Sequence, residues 1–441
     1  MAAKPAGDGA SSGPFAPMVS IAERIGSFLA GIGRDLKYAA WFTRRRALAY
    51  AGFLLVFEVA AFLLFAAVQR DYIVKLERPT ASDFTSFYAA GALADAGVPA
   101  LAYDRPAHLA AEERATKPGI KYIYFYYPPI FLAVCMAFAV APYLASFVIF
   151  ETTTLLGYLM IVRTIARERG WASLVPMLAF PAVPWTLGIG QNSFLSAAIF
   201  GGATLLVDSR PVSAGLLFGT LAYKPQLALL VPVALAAARN WRAFWAAAAA
   251  ALVLSAASLA LFGTETWRSF LVAFAGSSTA YESAIDRGAM VNGFGAVLIL
   301  GGSPALAYAV QAVVTVAAAF LVAFVWRRRT SLAVRGAALA GAVLLAAPLA
   351  LFYDFTIAFV AMAWLVRLGR DEGFMPWDKT VLMGTFIAPL ASRYIGREHV
   401  PIATVALVAL LVIVVRHARR QVASRDLGAV AAAGRSLSIQ A

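Results

Sequence analysis

Residues 47–68 read ALAYAGFLLVFEVAAFLLFAAV, a run with one charge, Glu58, and it follows directly on Arg44-Arg45-Arg46. About 20 consecutive apolar residues make a helix long enough to cross a hydrocarbon core roughly 30 Å thick, so the chain enters a membrane at this point. The same criterion, relaxed where neighbouring helices can bury the ends, selects eleven further stretches: 143–163, 171–189, 192–207, 211–223, 226–238, 243–262, 304–326, 333–353, 355–367, 380–395 and 400–415. Composition agrees. The 441 residues are 61% hydrophobic and 14% charged, with mean hydropathy +0.76, whereas soluble domains carry about 25% charged residues. The predicted fold is an all-α polytopic membrane bundle of about twelve spans; soluble, disordered and fibrous classes are excluded. Cys135 is the single cysteine and the three histidines, His108, His399 and His417, are far apart in sequence. Disulfide and metal-ligand patterns are therefore missing, and no metal or cofactor is expected.

The formal charge of +14 suits either nucleic acid or a membrane chain with basic cytoplasmic loops, and the position of the charges decides between them. One segment controls the count. PPIFLAVCMAFAVA at 128–141 is apolar but short, and it is read as lying in or dipping into the outer interface, because a crossing there would put the basic residues of 163–169 outside. With that choice, 25 of the 37 Lys and Arg residues fall inside and 12 outside. The excess obeys the positive-inside rule, the expected orientation is N-in and C-in, and nucleic acid drops out as a partner. Residues 1–46 are read as a cytoplasmic tail, disordered over 1–18, with an interfacial amphipathic helix from Val19 to Leu36 built on Ile21, Ile25, Phe28, Leu29 and Ile32. The first strong apolar run begins too far from Met1 for a cleaved signal sequence, so the N-terminus is expected to be retained. Residues 47–416 form the transmembrane domain and 417–441 a basic cytoplasmic tail.

Two outer segments are long, 69–142 and 264–303, and loops of that length between helices usually carry function. The first contains RPTASDFTSFYAAG (78–91), LAYDRP (101–106) and KYIYFYYPP (121–129). Asp83 stands where a short helix would start, either as an N-cap or as a reactive carboxylate. Beside Tyr88 and Tyr103, the run Tyr122, Tyr124, Tyr126 and Tyr127 forms a dense aromatic surface. It serves as an interfacial belt, as a platform for sugar rings, or as both. Under this topology Gln191 with Asn192, Lys224, Asp354, and Arg393 with Arg397 emerge at outer span ends. The helices starting at the first three point positive N-termini at the outer leaflet, which with a lysine makes a candidate phosphate site. The plainer alternatives are helix capping by Gln191, Asn192 and Asp354, snorkelling by Lys224 and a wet loop around the arginines. Glu58 and Glu151 lie inside spans, where carboxylates are either functional or bonded to a structural partner.

Taken in order, Asp83-Phe84 before Tyr88, Leu101-Ala102-Tyr103-Asp104, Tyr127-Pro128-Pro129, Gly190-Gln191-Asn192-Ser193, the stretch from Arg210 to Gln226 ending Tyr223-Lys224-Pro225-Gln226, and Tyr353-Asp354 resemble one family. It is the bacterial polyprenyl-phosphate-mannose-dependent alpha-1,2-mannosyltransferase-like family of GT-C glycosyltransferases, and the resemblance covers about residues 80–360. It implies a GT-C-like bundle with a cleft at its outer face, placed in the bacterial cytoplasmic (inner) membrane with the site facing the periplasm or outside. It also implies a polyprenyl-phosphate sugar donor, a glycan or glycolipid acceptor, and a catalytic base at Asp83. Phe87-Tyr88 replaces the tandem tyrosines common in that family, and Ala350-Leu351-Phe352 replaces a more polar stretch. On this reading Lys224, Gln191 and Asn192 bind the donor phosphate, while Tyr88, Tyr103, Tyr126, Tyr127 and Asp354 contact sugar or acceptor. A secondary transporter is the alternative from another class, but the two similar halves usual in transporters are not found in the sequence. A polymerase or ligase of lipid-linked glycans would share the outer site.

Overall fold

The computed structural model describes residues 21–68, 82–276, 287–328, 330–395 and 400–439. The N-terminal tail 1–18, residues 69–81 of the first outer loop, residues 277–286 of the second and Arg397 lie outside these, as does the Arg393 side chain. Within the described residues every regular element is a helix, and an isolated bridge joins Met290 and Leu351.

Helix α1, Ile21–Tyr38, exposes Phe28, Leu29, Ile32 and Leu36, as an interfacial helix should. Helix α2, Arg44–Val68, is the first predicted span. A polar-capped unit follows. Helix α3, Asp83–Asp95, begins after Ser82, whose N–H donates to the Thr85 hydroxyl at 3.2 Å. Helix α4, Arg105–Ala115, begins after Asp104, whose carboxylate accepts from the Ala107 N–H at 3.0 Å, a standard N-cap. Helix α5, Pro129–Ala139, has 11 residues and is about 16 Å long. That is too short for a crossing, in line with the reading of 128–141 as a non-spanning segment.

Helix α6 is Tyr143–Ala166. Helices α7, Leu174–Leu178, and α8, Ala182–Ile189, form a pair bent by 71°. Then come α9, Ser193–Leu206, α10, Pro211–Thr220, α11, Pro225–Ala228, and α12, Val231–Ala237. Helix α13, Trp241–Ala275, is kinked at Gly263. The remainder are α14, Gly293–Ile299, α15, Pro304–Arg327, α16, Leu332–Ala346, α17, Phe355–Glu372, α18, Asp378–Ile395, and α19, Ile402–Ile439.

All twelve predicted stretches contain helix, several of them broken, but the count of twelve spans is not established. Among the described residues six helices are long and apolar enough to cross a membrane, or seven if the bent pair is one span. The others are shorter apolar helices such as Ser193–Leu206 and Leu332–Ala346, or are interrupted by Pro and Gly. Short and long helices have different surroundings. In α16 every residue from Ala333 to Ala346 except Arg335 is buried, while α2 and α13 show most of their surface.

Two ends of the bundle are distinguishable. At one, the start of α2 is tied to the ends of α6 and α17, because Glu168 accepts from Arg44 at 3.1 Å and from Arg370 at 2.7 Å. Arg167 meets Asp371, and Arg335 holds Asp208. These segments all belong to the predicted inner, basic set. At the other end α3, α4 and α5 cover the bundle. Phe84, Phe87 and Phe131 are fully buried there, each contributing about 1.5–3 kcal/mol. Helices α3 and α5 cross so closely that a Cβ at Gly91 would run into the Cys135 carbonyl. Gly91→Val is therefore expected to destabilise the protein by about 1–3 kcal/mol through overpacking, read as a lowered thermal midpoint of the purified protein. An unchanged midpoint would contradict the crossing.

Candidate functional site

The site is built where helices start or break. Asp83 is the first residue of α3. Its carboxylate does not cap the helix; Oδ2 instead accepts from Gln191 Nε2 at 2.8 Å, 108 residues away, and Oδ1 has no hydrogen bond among the described residues. Gln191 follows Gly190, whose left-handed backbone (φ +66°) ends α8 against Phe84 and Phe147, where a Cβ would clash. The Gln191 carbonyl oxygen Oε1 accepts from the Tyr127 hydroxyl at 3.0 Å and from the Asn192 N–H at 2.8 Å. With the amide oxygen accepting twice, its nitrogen must face the carboxylate. Next in sequence, the Asn192 side chain is fully buried, and neither amide atom has a hydrogen-bond partner among the described residues.

One residue further on, Ser193 Oγ donates to Asp354 Oδ1 at 3.1 Å. The same oxygen takes Lys224 Nζ at 2.9 Å, in a pair whose side chains are each 4% exposed. Asp354 Oδ2 accepts from the Leu351 N–H at 3.2 Å, and the ammonium lies 5.4 Å from the centre of the Tyr353 ring, within cation–π range. Lys224 sits between a 3₁₀ turn, Leu221–Tyr223, and α11; Asp354 ends a 3₁₀ turn, Phe352–Asp354, that leads into α17. Each group thus interrupts its helical segment at the same level. Lys224 is not a snorkelling lysine: its charge is directed inward.

The electrostatics follow from burial. Desolvation raises the Asp83 carboxyl from its usual value near 3.8 to about 6; the Gln191 hydrogen bond and the Lys224 charge oppose the rise, and the Asp354 charge adds to it. Such a carboxylate is ionised at neutral pH yet basic enough to take a proton, as general-base chemistry needs. Beneath α3, His108 and Glu112 are both fully buried. The His108 Nε2 hydrogen donates to the Ser86 carbonyl at 3.1 Å, and Glu112 Oε2 accepts from the Ile123 N–H at 3.2 Å. Burial lowers His108 to about 4, partly offset by the Ser86 bond, and raises Glu112 to about 8, partly offset by the Ile123 N–H. At neutral pH this pair is uncharged, and it supports the helix that starts at Asp83.

The fold brings Asp83, Gln191, Asn192, Tyr127, Lys224 and Asp354 together. Other predicted site residues are engaged elsewhere. The Tyr88 hydroxyl donates to the Ala141 carbonyl at 3.0 Å and the Tyr103 hydroxyl to the Tyr127 carbonyl at 2.9 Å, and Tyr126 stacks on Tyr124 at 5.2 Å. Glu58 and Glu151 bond to no side chain of the cluster, and their carboxylates have no hydrogen-bond partner among the described residues. Sequence reasoning passed over Ser193, which stood inside the quoted GQNS turn, and Tyr353, which adjoins Asp354. It also missed His108 with Glu112, although their i, i+4 spacing was visible.

The family model of Glycosyltransferase family 87 matches residues 125–350, just over half of the chain. The chain belongs to glycosyltransferase family 87. No curated protein and no solved structure matches it. Membership makes this a membrane glycosyltransferase and supports the transferase reading over transport. The segment matched to glycosyltransferase family 87 includes Tyr127, Gln191, Asn192 and Lys224, whereas Asp83 lies well before its start at residue 125 and Asp354 just after its end at residue 350. Folding joins those two carboxylates to the matched residues through Gln191 and Lys224.

Removing one partner of a buried ion pair leaves an uncompensated charge, which costs about 3–5 kcal/mol. Lys224→Met is expected to destabilise the protein by that amount, and Lys224→Met with Asp354→Leu to recover most of it, as measured by denaturant or thermal unfolding. Equal losses in the single and double variants would show that the pair is not coupled.

Proposed function

We propose that the chain transfers a hexose, mannose by its resemblance, from a polyprenyl-phosphate donor to a glycan or glycolipid acceptor at the Asp83 end of the bundle, which faces the periplasm or outside. The observation that carries this reading is the 2.8 Å bond from Gln191 to Asp83. It joins a carboxylate of raised basicity to the GQNS turn of the segment matched to glycosyltransferase family 87.

The acceptor hydroxyl approaches the anomeric carbon as Asp83 Oδ1 takes its proton. The new bond from the acceptor oxygen forms while the bond from the anomeric carbon to the phosphate oxygen breaks, with inversion, and the electron pair leaves with polyprenyl phosphate. General-base help of this kind is worth about 10²–10⁴-fold. The greater demand is the charge growing on the departing phosphate. The N-terminus of α9, the unpartnered amide of Asn192 and the remaining N–H groups of Lys224 offer fixed donors in a poorly solvated place, where they are most effective. Asp354 holds Lys224 charged and oriented, and the Tyr127 hydroxyl fixes Gln191.

Purified protein given a panel of labelled polyprenyl-phosphate sugars should transfer one of them. Asp83→Asn should abolish transfer with an unchanged unfolding midpoint; full activity in that variant would remove the base. The rate of transfer should also fall about tenfold per pH unit below about pH 6, where Asp83 becomes protonated. The Gln191 bond lowers that pKa, so Gln191→Leu should move the acid limb to higher pH. A limb that stays in place would separate Gln191 from the titrating group.

A further inference from the structure

At the opposite end of the bundle, beside the Arg44, Glu168 and Arg370 network, lies a half-enclosed apolar cavity of about 610 Å³. It exists because α2 leans on the bundle mainly through α7 and stands clear of α17 and α18. Its walls include Ala51 and Leu54 on α2, Met177 on α7, Ala363 on α17, and Met383 and Leu390 on α18. Its mouth carries Arg44, Arg370 and Lys379, with one acid, Glu168.

We propose that this cavity binds one anionic membrane phospholipid, its phosphate on Arg44 and Arg370 and one acyl chain between α2, α17 and α18.

Three observations carry the assignment. The first is depth. From Arg44 to Leu54 is ten residues, about 15 Å along a helix, and from Lys379 to Leu390 is about the same. This is half of a hydrocarbon core about 30 Å thick, so the groove descends through one leaflet and ends at its midplane. The second is charge. Glu168 neutralises only one of its two arginine partners, and Lys379 Nζ sits against the Ala39 and Phe42 carbonyls. The mouth is left cationic, and Arg44 and Arg370 have side chains 64% and 42% exposed. Guanidinium groups with free N–H edges at an interface bind phosphate in a forked geometry. The third is position. Helix α1, with its exposed apolar face, is fixed beside this mouth by the Thr380 hydroxyl on the Leu36 carbonyl and by the Trp377 N–H on the Lys37 carbonyl. An interfacial helix marks the level of lipid headgroups, and the arginines lie at that level. The site is separate from the Asp83 cluster and needs no catalysis to be seen.

The test is lipid titration of the purified full chain, followed by native mass spectrometry and by thermal midpoint, using phosphatidylglycerol, phosphatidylcholine and glycerol phosphate. Phosphatidylglycerol should bind and stabilise most and glycerol phosphate should do neither. The charge-removing variant Arg44→Gln with Arg370→Gln should weaken phosphatidylglycerol binding about tenfold or more, given the usual strength of charge-assisted hydrogen bonds. The groove-filling variant Leu54→Trp, which keeps both arginines, should weaken it as well. Equal effects of the two lipids, stabilisation by glycerol phosphate alone, or unchanged phosphatidylglycerol affinity in either variant would overturn the proposal. Should the double variant fail to fold, the result from Leu54→Trp decides.

Discussion

The site end of this protein depends on a desolvated ion pair. Lys224 and Asp354 come from helix breaks 130 residues apart, and each is almost sealed from water. A buried charge costs several kcal/mol unless it is paired and its remaining valences are met. Here Ser193, the Leu351 N–H and the Tyr353 ring meet them. Both breaks also expose backbone groups that hydrocarbon would not satisfy. The carbonyls of 345–348 are covered by Gln311, Thr315 and Asn292. Irregular backbone persists at this depth because protein side chains replace water around it.

Gln191 links that pair to the surface unit. A side-chain amide can accept and donate at once, and here it joins Tyr127 and the start of α9 to a carboxylate from another element. The arrangement places two carboxylates, one ammonium group and one amide in a short chain: among the described residues Asp83 keeps an unengaged oxygen, and Asp354 spends both of its own. Two chemically identical side chains therefore differ in what they can do, and the difference lies in their neighbours.

Much of this end could be read from the chain alone. A helix beginning near Asp83, the short segment after Pro128-Pro129, and polar groups at Gln191, Lys224 and Asp354 between closely spaced apolar runs are local patterns, and local patterns survive folding. Pairing did not show. Nothing in the stretch around Lys224 announces Asp354, because the contact is made by tertiary packing and leaves no periodic trace. The span count suffered from a related limit. Hydropathy registers apolar stretches, but a helix buried among other helices needs no bilayer-matched length, so α9 and α16 are shorter than any lipid-facing span. Likewise, the charge count put the segments that meet at the Arg44 end in one basic set but could not show that Glu168 binds two of them together.

The close crossing of α3 and α5 has a chemical consequence. Cys135, the only thiol in the chain, lies under that crossing with no exposure. Oxidants, electrophiles and thiophilic metals react with accessible thiolates, and a buried, uncharged sulfur offers them little. In the folded protein this thiol is thereby shielded from the redox state of its surroundings, and the first appearance of a reactive thiol would report that the cap over the Asp83 cluster has opened.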